Sequence, residues 1–447
     1  MKKRVMAVGF LIICIFFMRR FDVCASDLVP NDETGVPDKA LYQEILRNMD
    51  KSENDTFTKQ EAAALESLDI GKKIQSFQGI GVLRSLKSLD VSDIKLGDSQ
   101  CEAIATELPQ LELLSANDNK ITSLRAFGNL KRLEWLNVCN NKLENLEGIE
   151  ELMSLESLYA ESNQIKKISL SMELPKLKNL DLSYNQLTDV KGIERMHQIE
   201  DLHLSDNQLT NLKGIKKLKN LRELDLSANQ LKNLKGIENL NKLEWLLAEK
   251  NLLTSVKGIR NLKKLTNLWV GDNRLVNVNE VKYLKNIRHL LIDYNQIKKL
   301  PDLKGMKRLY SVELYGNFLT EQEIRKKLPE RYLSEKSEFI SRGILLQRHN
   351  FKVSFINPAK PSKITKKTKK ITGKVPNEYY KNLKIYLILP GEVKWLTAKL
   401  DETGKFAFKK LNLKPYAGKE AQLSVYYYDN FTDRGIRVNQ ILFKIKK

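Results

Sequence analysis

From Leu86 to about Pro329 the apolar positions of the chain repeat one figure. Around Asn185 it reads Leu177, Leu180 and Leu182, then Leu187, Val190, Ile193 and Met196; around Asn229 it reads Leu221, Leu224 and Leu226, then Leu231, Leu234, Ile237 and Leu240. Ten asparagines, Asn119, Asn141, Asn163, Asn185, Asn207, Asn229, Asn251, Asn273, Asn295 and Asn317, mark it at an unbroken spacing of 22 residues. A unit this short cannot bury a core alone, so its copies must stack. The alternation at Leu180 and Leu182 predicts a short strand buried on one face, with successive strands parallel and about 4.8 Å apart along the inside of an arc. An amide side chain at the strand end offers donors and an acceptor to main-chain groups that leave the ladder, so the asparagines are expected to be structural. Gly148, Gly192, Gly214, Gly236 and Gly258, seven residues after an asparagine, are expected where a tight return or close packing excludes a side chain.

The pattern is L-x-x-L-x-L-x-x-N-x-L, the signature of leucine-rich repeats. Its start is irregular: Leu86, Leu89 and Val91 mark an earlier strand, but Ile94 takes the asparagine place and that repeat is about three residues longer. Before it, Asp38 to Met49 has helical spacing through Leu41, Ile45 and Leu46, and Thr58-Lys-Gln-Glu61 reads as a capping box opening a second helix. Together these predict a small helical cap over the exposed end of the stack. Thr320-Glu-Gln-Glu323, followed by Ile324 and Leu328, predicts a closing helix before Pro329. From Phe351 the period vanishes. Runs at Ile371–Val375, Leu383–Leu389, Phe406–Phe408, Leu423–Tyr428 and Ile441–Ile445, separated by turn-forming stretches, predict a small β-sandwich.

The N-terminus carries Lys2, Lys3 and Arg4, an apolar run from Val5 to Met18, and Val23-Cys24-Ala25. This predicts an export signal cleaved after Ala25; the run falls short of the roughly 20 residues of a spanning anchor. Asp22-Val23 is a poor context for lipidation at Cys24. Cys101 and Cys139 then remain, without zinc-like or Cys-x-x-Cys spacing. Two unpaired thiols are the favoured reading, and a bridge between them is not decided by sequence.

Charge changes the picture. The chain of 447 residues has a net charge of +21. Residues 351–447 alone carry +15, from 22 Lys and Arg against seven Asp and Glu, with Lys363, Lys366, Lys367, Lys369 and Lys370 clustered. Such a region is attracted to polyanions such as anionic cell-wall polymers, lipid headgroups or sulfated glycans; nucleic acid is not expected for an exported protein. The repeats behave differently. Their strand positions that alternate away from the core comprise thirty residues, and none is Lys or Arg; chance alone places about five there. An acidic, aromatic concave face follows, and aromatic clusters on a surface are enriched where partners bind. The candidate protein-binding residues are Trp135, Tyr159, Asp181, His203, Glu223, Asp225, Trp245, Leu247, Glu249, Trp269, Leu291 and Asp293, with the sharpest patch at Trp245, Leu247, Trp269 and Leu291.

Asp181, His203 and Asp225 share one position in three successive repeats, about 4.8 Å apart. A histidine between carboxylates invites a metal or general-base reading, but a polar hydrogen-bonded row on an open surface is favoured. With no Gly-rich phosphate loop, nucleophile elbow or Cys–His constellation, neither an enzyme, a metal site nor a cofactor is expected.

The export signal, the helical segment running into Ile74-Gln-Ser-Phe77-Gln-Gly-Ile80, the 22-residue repeats and the strand-rich segment with Asp401-Glu-Thr-Gly404-Lys-Phe406 together resemble the internalins, secreted and surface leucine-rich-repeat proteins of Gram-positive bacteria. That resemblance implies recognition of a protein, often a host protein, by the concave face. It also implies an immunoglobulin-like C-terminal module. No Leu-Pro-x-Thr-Gly motif and no tandem wall-binding modules are found, so covalent anchoring is not expected. The expected fold is an α/β solenoid of 22-residue leucine-rich repeats with a helical N-terminal cap, followed by an all-β immunoglobulin-like domain. The expected organisation is signal 1–25, linker and cap 26–80, solenoid 81–330, connector 331–350 and basic β-sandwich 351–447. The expected function is a secreted, or non-covalently surface-held, protein-interaction module. The alternative is a structural cell-envelope protein held on anionic wall polymers by its basic domain.

Overall fold

The computed structural model describes residues 27–314, 316–329, 354–357, 363–374, 383–391, 395–398, 400–401, 403–428 and 435–447. The expected export signal lies outside them. Two compact units, Met1–Asn163 and Gln164–Lys447, divide the chain.

In the first unit, a two-residue antiparallel pair, β1 (Leu28–Val29) with β2 (Phe57–Thr58), brackets helix α1 (Lys39–Asn48). Helix α2 (Lys59–Ala64) follows at once. Asp38 caps α1 with one carboxylate oxygen and accepts the Gln75 and Ser76 N–H groups with the other. The Thr58–Glu61 capping box forms as read. Asn48 exchanges two hydrogen bonds with the Asp69 main chain, pinning α1 to the first repeat strand. That strand, β3 (Ser67–Asp69), begins a parallel series with β4 (Ser88–Asp90), β5 (Leu113–Ser115), β6 (Trp135–Asn137) and β7 (Ser157–Tyr159). The longer first repeat houses a helix absent from the sequence reading, α3 (Asp98–Glu107), which buries Cys101, Ile104 and Ala105. Cys101 is a buried free thiol, so no bridge joins it to Cys139.

The second unit stacks seven more strands in parallel order: β8 (Asn179–Asp181), β9 (Asp201–His203), β10 (Glu223–Asp225), β11 (Trp245–Leu247), β12 (Asn267–Trp269), β13 (His289–Leu291) and β14 (Ser311–Glu313). Paired residues stand 22 apart in the chain, for example Leu224 with Leu246 and Leu246 with Leu268. The middle residue of each strand points into the core, with Leu202, Leu224, Leu246, Leu268 and Leu290 fully buried. Its two flanking residues face outward.

The asparagines are the joinery. Asn229 Oδ1 accepts the Leu209 N–H of the preceding repeat, while its Nδ2 donates to Leu204 O, Leu226 O and Ser227 O. The same set recurs at Asn207, Asn251, Asn273 and Asn295. The residue before each ladder asparagine from Asn119 to Asn295 adopts a left-handed conformation, φ between 46° and 57°, although none of these nine is glycine. Gly192, Gly214, Gly236 and Gly258 also have positive φ and, as anticipated, meet the preceding repeat closely: a Cβ on Gly192 would lie 2.2 Å from Ile168 O.

Helix α4 (Glu321–Lys327) follows the repeats, with Thr320 Oγ1 accepting the Glu323 N–H at 3.1 Å. The Glu323 carboxylate accepts the Leu300 N–H, tying the helix to the repeat beneath it. Beyond it lie two antiparallel sheets. One runs β15 (Ser354–Asn357), β16 (Ile371–Lys374), β19 (Lys405–Phe408); the other runs β18 (Leu396–Ala398), β17 (Leu383–Ile388), β20 (Glu420–Tyr428), β21 (Gly435–Lys444). They enclose Ile371, Ile385, Leu387, Phe406, Phe408, Leu423, Val425 and Phe443, an arrangement compatible with an immunoglobulin-like domain. The five strands read from sequence are present; β15 and β18 are additional.

Candidate functional site

Of the twelve candidate residues, Trp135 and Tyr159 lie in the first unit, where their rings pack at 5.6 Å between centroids. The other ten lie in the second. There the register aligns Asp225 with Leu247, Leu247 with Trp269, Trp269 with Leu291, and Leu291 with Glu313. An apolar row of three is therefore closed at both ends by a carboxylate. Trp245, two residues before Leu247, stands between Glu223 and Asn267. It keeps 40% of its surface exposed. Trp269 is half-buried, and its indole nitrogen is shut off from solvent without a hydrogen-bond partner. The two tryptophans thus differ: one offers surface and the other lies down into the sheet.

The row of Asp181, His203 and Asp225 does not act as a set. Asp181 Oδ1 accepts the Ser183 N–H at 2.9 Å and Asp225 Oδ1 accepts the Ser227 N–H at 2.8 Å, so each carboxylate caps the end of its own strand. His203 turns instead to Glu223, Nε2 to Oε1 3.5 Å, diagonally across two strands. Short aspartates find main-chain donors two residues on before they can reach a neighbouring repeat. Among the described residues no group of three His, Cys, Asp or Glu side chains is placed to hold a metal ion.

The outward face carries carboxyl groups that resist ionisation. Burial raises the pKa of Asp201 and, likewise, that of Glu223, each offset in part by His203. Burial and then Asp225 push Glu249 up. Asp293 is raised to about 7, by burial first and then by Glu313. Proton retention is the response of carboxylates confined near one another with little water and few cations. Sequence reasoning passed over Gly271, Asp201 and Glu313 as site members. For Gly271 a signal was present, since it is the single glycine among the thirty outward positions.

The repeat geometry has counterparts among known proteins. The family model "Leucine Rich repeats (2 copies)" matches residues 154–195 and 197–239. A comparison with curated proteins finds no match. Among solved structures, the internalin inlF of Listeria monocytogenes aligns with a TM-score of 0.61 and 25% identity over 67% of this chain and 88% of that one. Internalin C2 of the same organism aligns at 0.37 and 23%, covering 65% and 98%; its InlP aligns at 0.42 and 16%, covering 92% and 96%. The inlF alignment establishes a shared fold. The chain is a leucine-rich-repeat protein, and within that class it is internalin-like. Such repeats constitute a protein–protein interaction scaffold.

Proposed function

We propose that this is an exported protein that binds a partner protein through the outward sheet face of its second unit, and that the partner presents a basic or apolar footprint. One observation carries the reading. In a chain of net charge +21, the outward strand positions exclude Lys and Arg and confine Glu223, Glu249 and Asp293 so tightly that all three hold their protons more firmly than usual. A cationic footprint relieves that confinement, and the Leu247–Trp269–Leu291 row supplies apolar area beside it. In the same reading α1 and α2 cap the first repeat strand, residues 1–25 direct export, and residues 351–447 form the basic module.

The test is capture of protein from host-cell surface extracts by the full chain beside its Trp245→Ala/Trp269→Ala variant, at a salt concentration that suppresses polyanion binding. A partner held by the unmutated chain and released by the variant, a loss of at least about 2 kcal/mol, supports the reading. Equal capture by both moves the site elsewhere.

A second reading, retention on an anionic envelope polymer by the basic module, has its own observation. Tyr386, Trp395 and Tyr426 cluster with centroids 5.3–6.0 Å apart, and Trp395 is 43% exposed. Lys384 lies on the same side of strand β17 as Tyr386. Loss of envelope retention at moderate salt, with no protein captured by the sheet face, favours it.

A further inference from the structure

The outward position two residues past the end of each strand holds Glu249 after β11 and Asp293 after β13. Between them, after β12, it holds Gly271. Where the neighbouring repeats spend a side chain, this repeat leaves a notch. The Asp293 carboxyl occupies it: a Cβ built on Gly271 would stand 2.6 Å from Asp293 Oδ1. Asp293 is only 6% exposed, and its Oδ1 makes no hydrogen bond within the protein. Among the described residues, the charged groups that act on it most are Glu313 on β14, Glu249 after β11 and Asp272 after β12, all carboxylates. On the same repeat, two residues before Gly271, the Trp269 indole nitrogen is also buried without a partner.

A buried carboxylate oxygen without a donor is costly to a folded chain, and here the chain brings up only more negative charge. A partner group that carries positive charge on directional N–H donors would satisfy the ionised form. A divalent metal is the wrong occupant, because no three of the described ligating side chains converge. A planar guanidinium meets the requirement: it donates to a carboxylate in fixed geometry, is weakly hydrated and packs against aromatic faces. We propose that the Asp293 carboxyl seated over Gly271 is the acceptor for one arginine side chain of the partner protein, which docks over the filled notch, with Glu249, Asp272 and Glu313 supplying the field that holds it. The assignment rests on the sheet face being a protein-binding surface, and names the group that the surface takes at one point.

Binding requires ionised Asp293, so occupancy is coupled to pH. Because the carboxyl holds its proton up to about pH 7, affinity for a cation rises as pH increases, falling about tenfold for each unit below that value.

The experiment uses the full chain with 15N-labelled tryptophan and methylguanidinium chloride as the probe, titrated against sodium chloride at equal ionic strength. The expected result is a saturable shift of one indole resonance, the one missing from Trp269→Phe, with a dissociation constant of about 1–10 mM that weakens in mildly acidic buffer. Asp293→Asn, which preserves shape, abolishes the shift. Gly271→Ala, which displaces the Asp293 carboxyl, weakens it at least about fivefold. No saturable shift, or a shift unchanged in Asp293→Asn, overturns the proposal. Capture of a protein through Trp245, together with indifference to methylguanidinium, overturns the notch alone; loss of all capture alongside a saturable shift instead removes the wider reading.

Discussion

At the scale of single residues, the fold rests on side chains that serve the main chain. The Asn229 amide engages four main-chain groups in its own and the preceding repeat. Asn229→Ala leaves them buried and unmet, so we expect a loss of about 2–4 kcal/mol in chemical denaturation; a change below about 1 kcal/mol means the joint is redundant. Asp293 works in the opposite direction. Its folded pKa of about 7 lies above the usual 3.8, so between those values the folded state binds more protons than the unfolded one. Its contribution to stability is therefore greatest in acid and declines as pH rises toward neutrality. Asp293→Asn should flatten that part of the pH–stability profile and gain about 1–3 kcal/mol in mildly alkaline buffer. Denaturation midpoints of the two proteins across that range check it, and parallel profiles would refute the assignment.

At the scale of the repeat, two kinds of left-handed residue behave differently. Ala228 has φ 53° and carries a Cβ that this region disfavours. Ala228→Gly is expected to raise stability by about 0.5–1 kcal/mol. Gly236, at φ 117° with Leu212 O 3.0 Å from where a Cβ would be, does not tolerate one; Gly236→Ala should cost more than about 1 kcal/mol. Thermal melting of the two variants beside the parent gives opposite shifts if this account holds. The strands were legible because the leucine spacing and the asparagines repeat, and α1 and α2 because their caps lie in the text. The left-handed turns were not: Asp, Asn, Ser, Tyr, Ala and Lys share that place, so tertiary closure imposes the conformation, and composition does not announce it. Helix α3 escaped for a related reason. Three extra residues say that a repeat is longer without saying how the length is used. At the candidate site, the Leu247–Trp269–Leu291 row follows from strand alternation, whereas the turn of His203 toward Glu223 depends on rotamers that no periodicity encodes.

At the scale of the whole molecule, charge is segregated: +15 of the net +21 resides in residues 351–447. Binding of the full chain to an anionic glycan such as heparin should therefore be steeply salt-dependent, and removal of those residues should abolish retention at physiological ionic strength. Retention unchanged by the deletion would place the polyanion site in the repeats. Within the second unit the two regions touch: Arg274 pairs with Glu420 at 3.4 Å beside a cleft of about 450 Å³ lined by Asp272, Asn273, Pro390 and Gln422.

Each repeat strand is only three residues long, with the middle one buried. The outward face of the second unit is therefore a lattice of positions, two per strand, most of them open to exchange without disturbing the leucine core, with Asn267 a buried exception. Side chains can be exchanged there one cell at a time, as in a keypad whose keys are replaced while the board beneath stays wired.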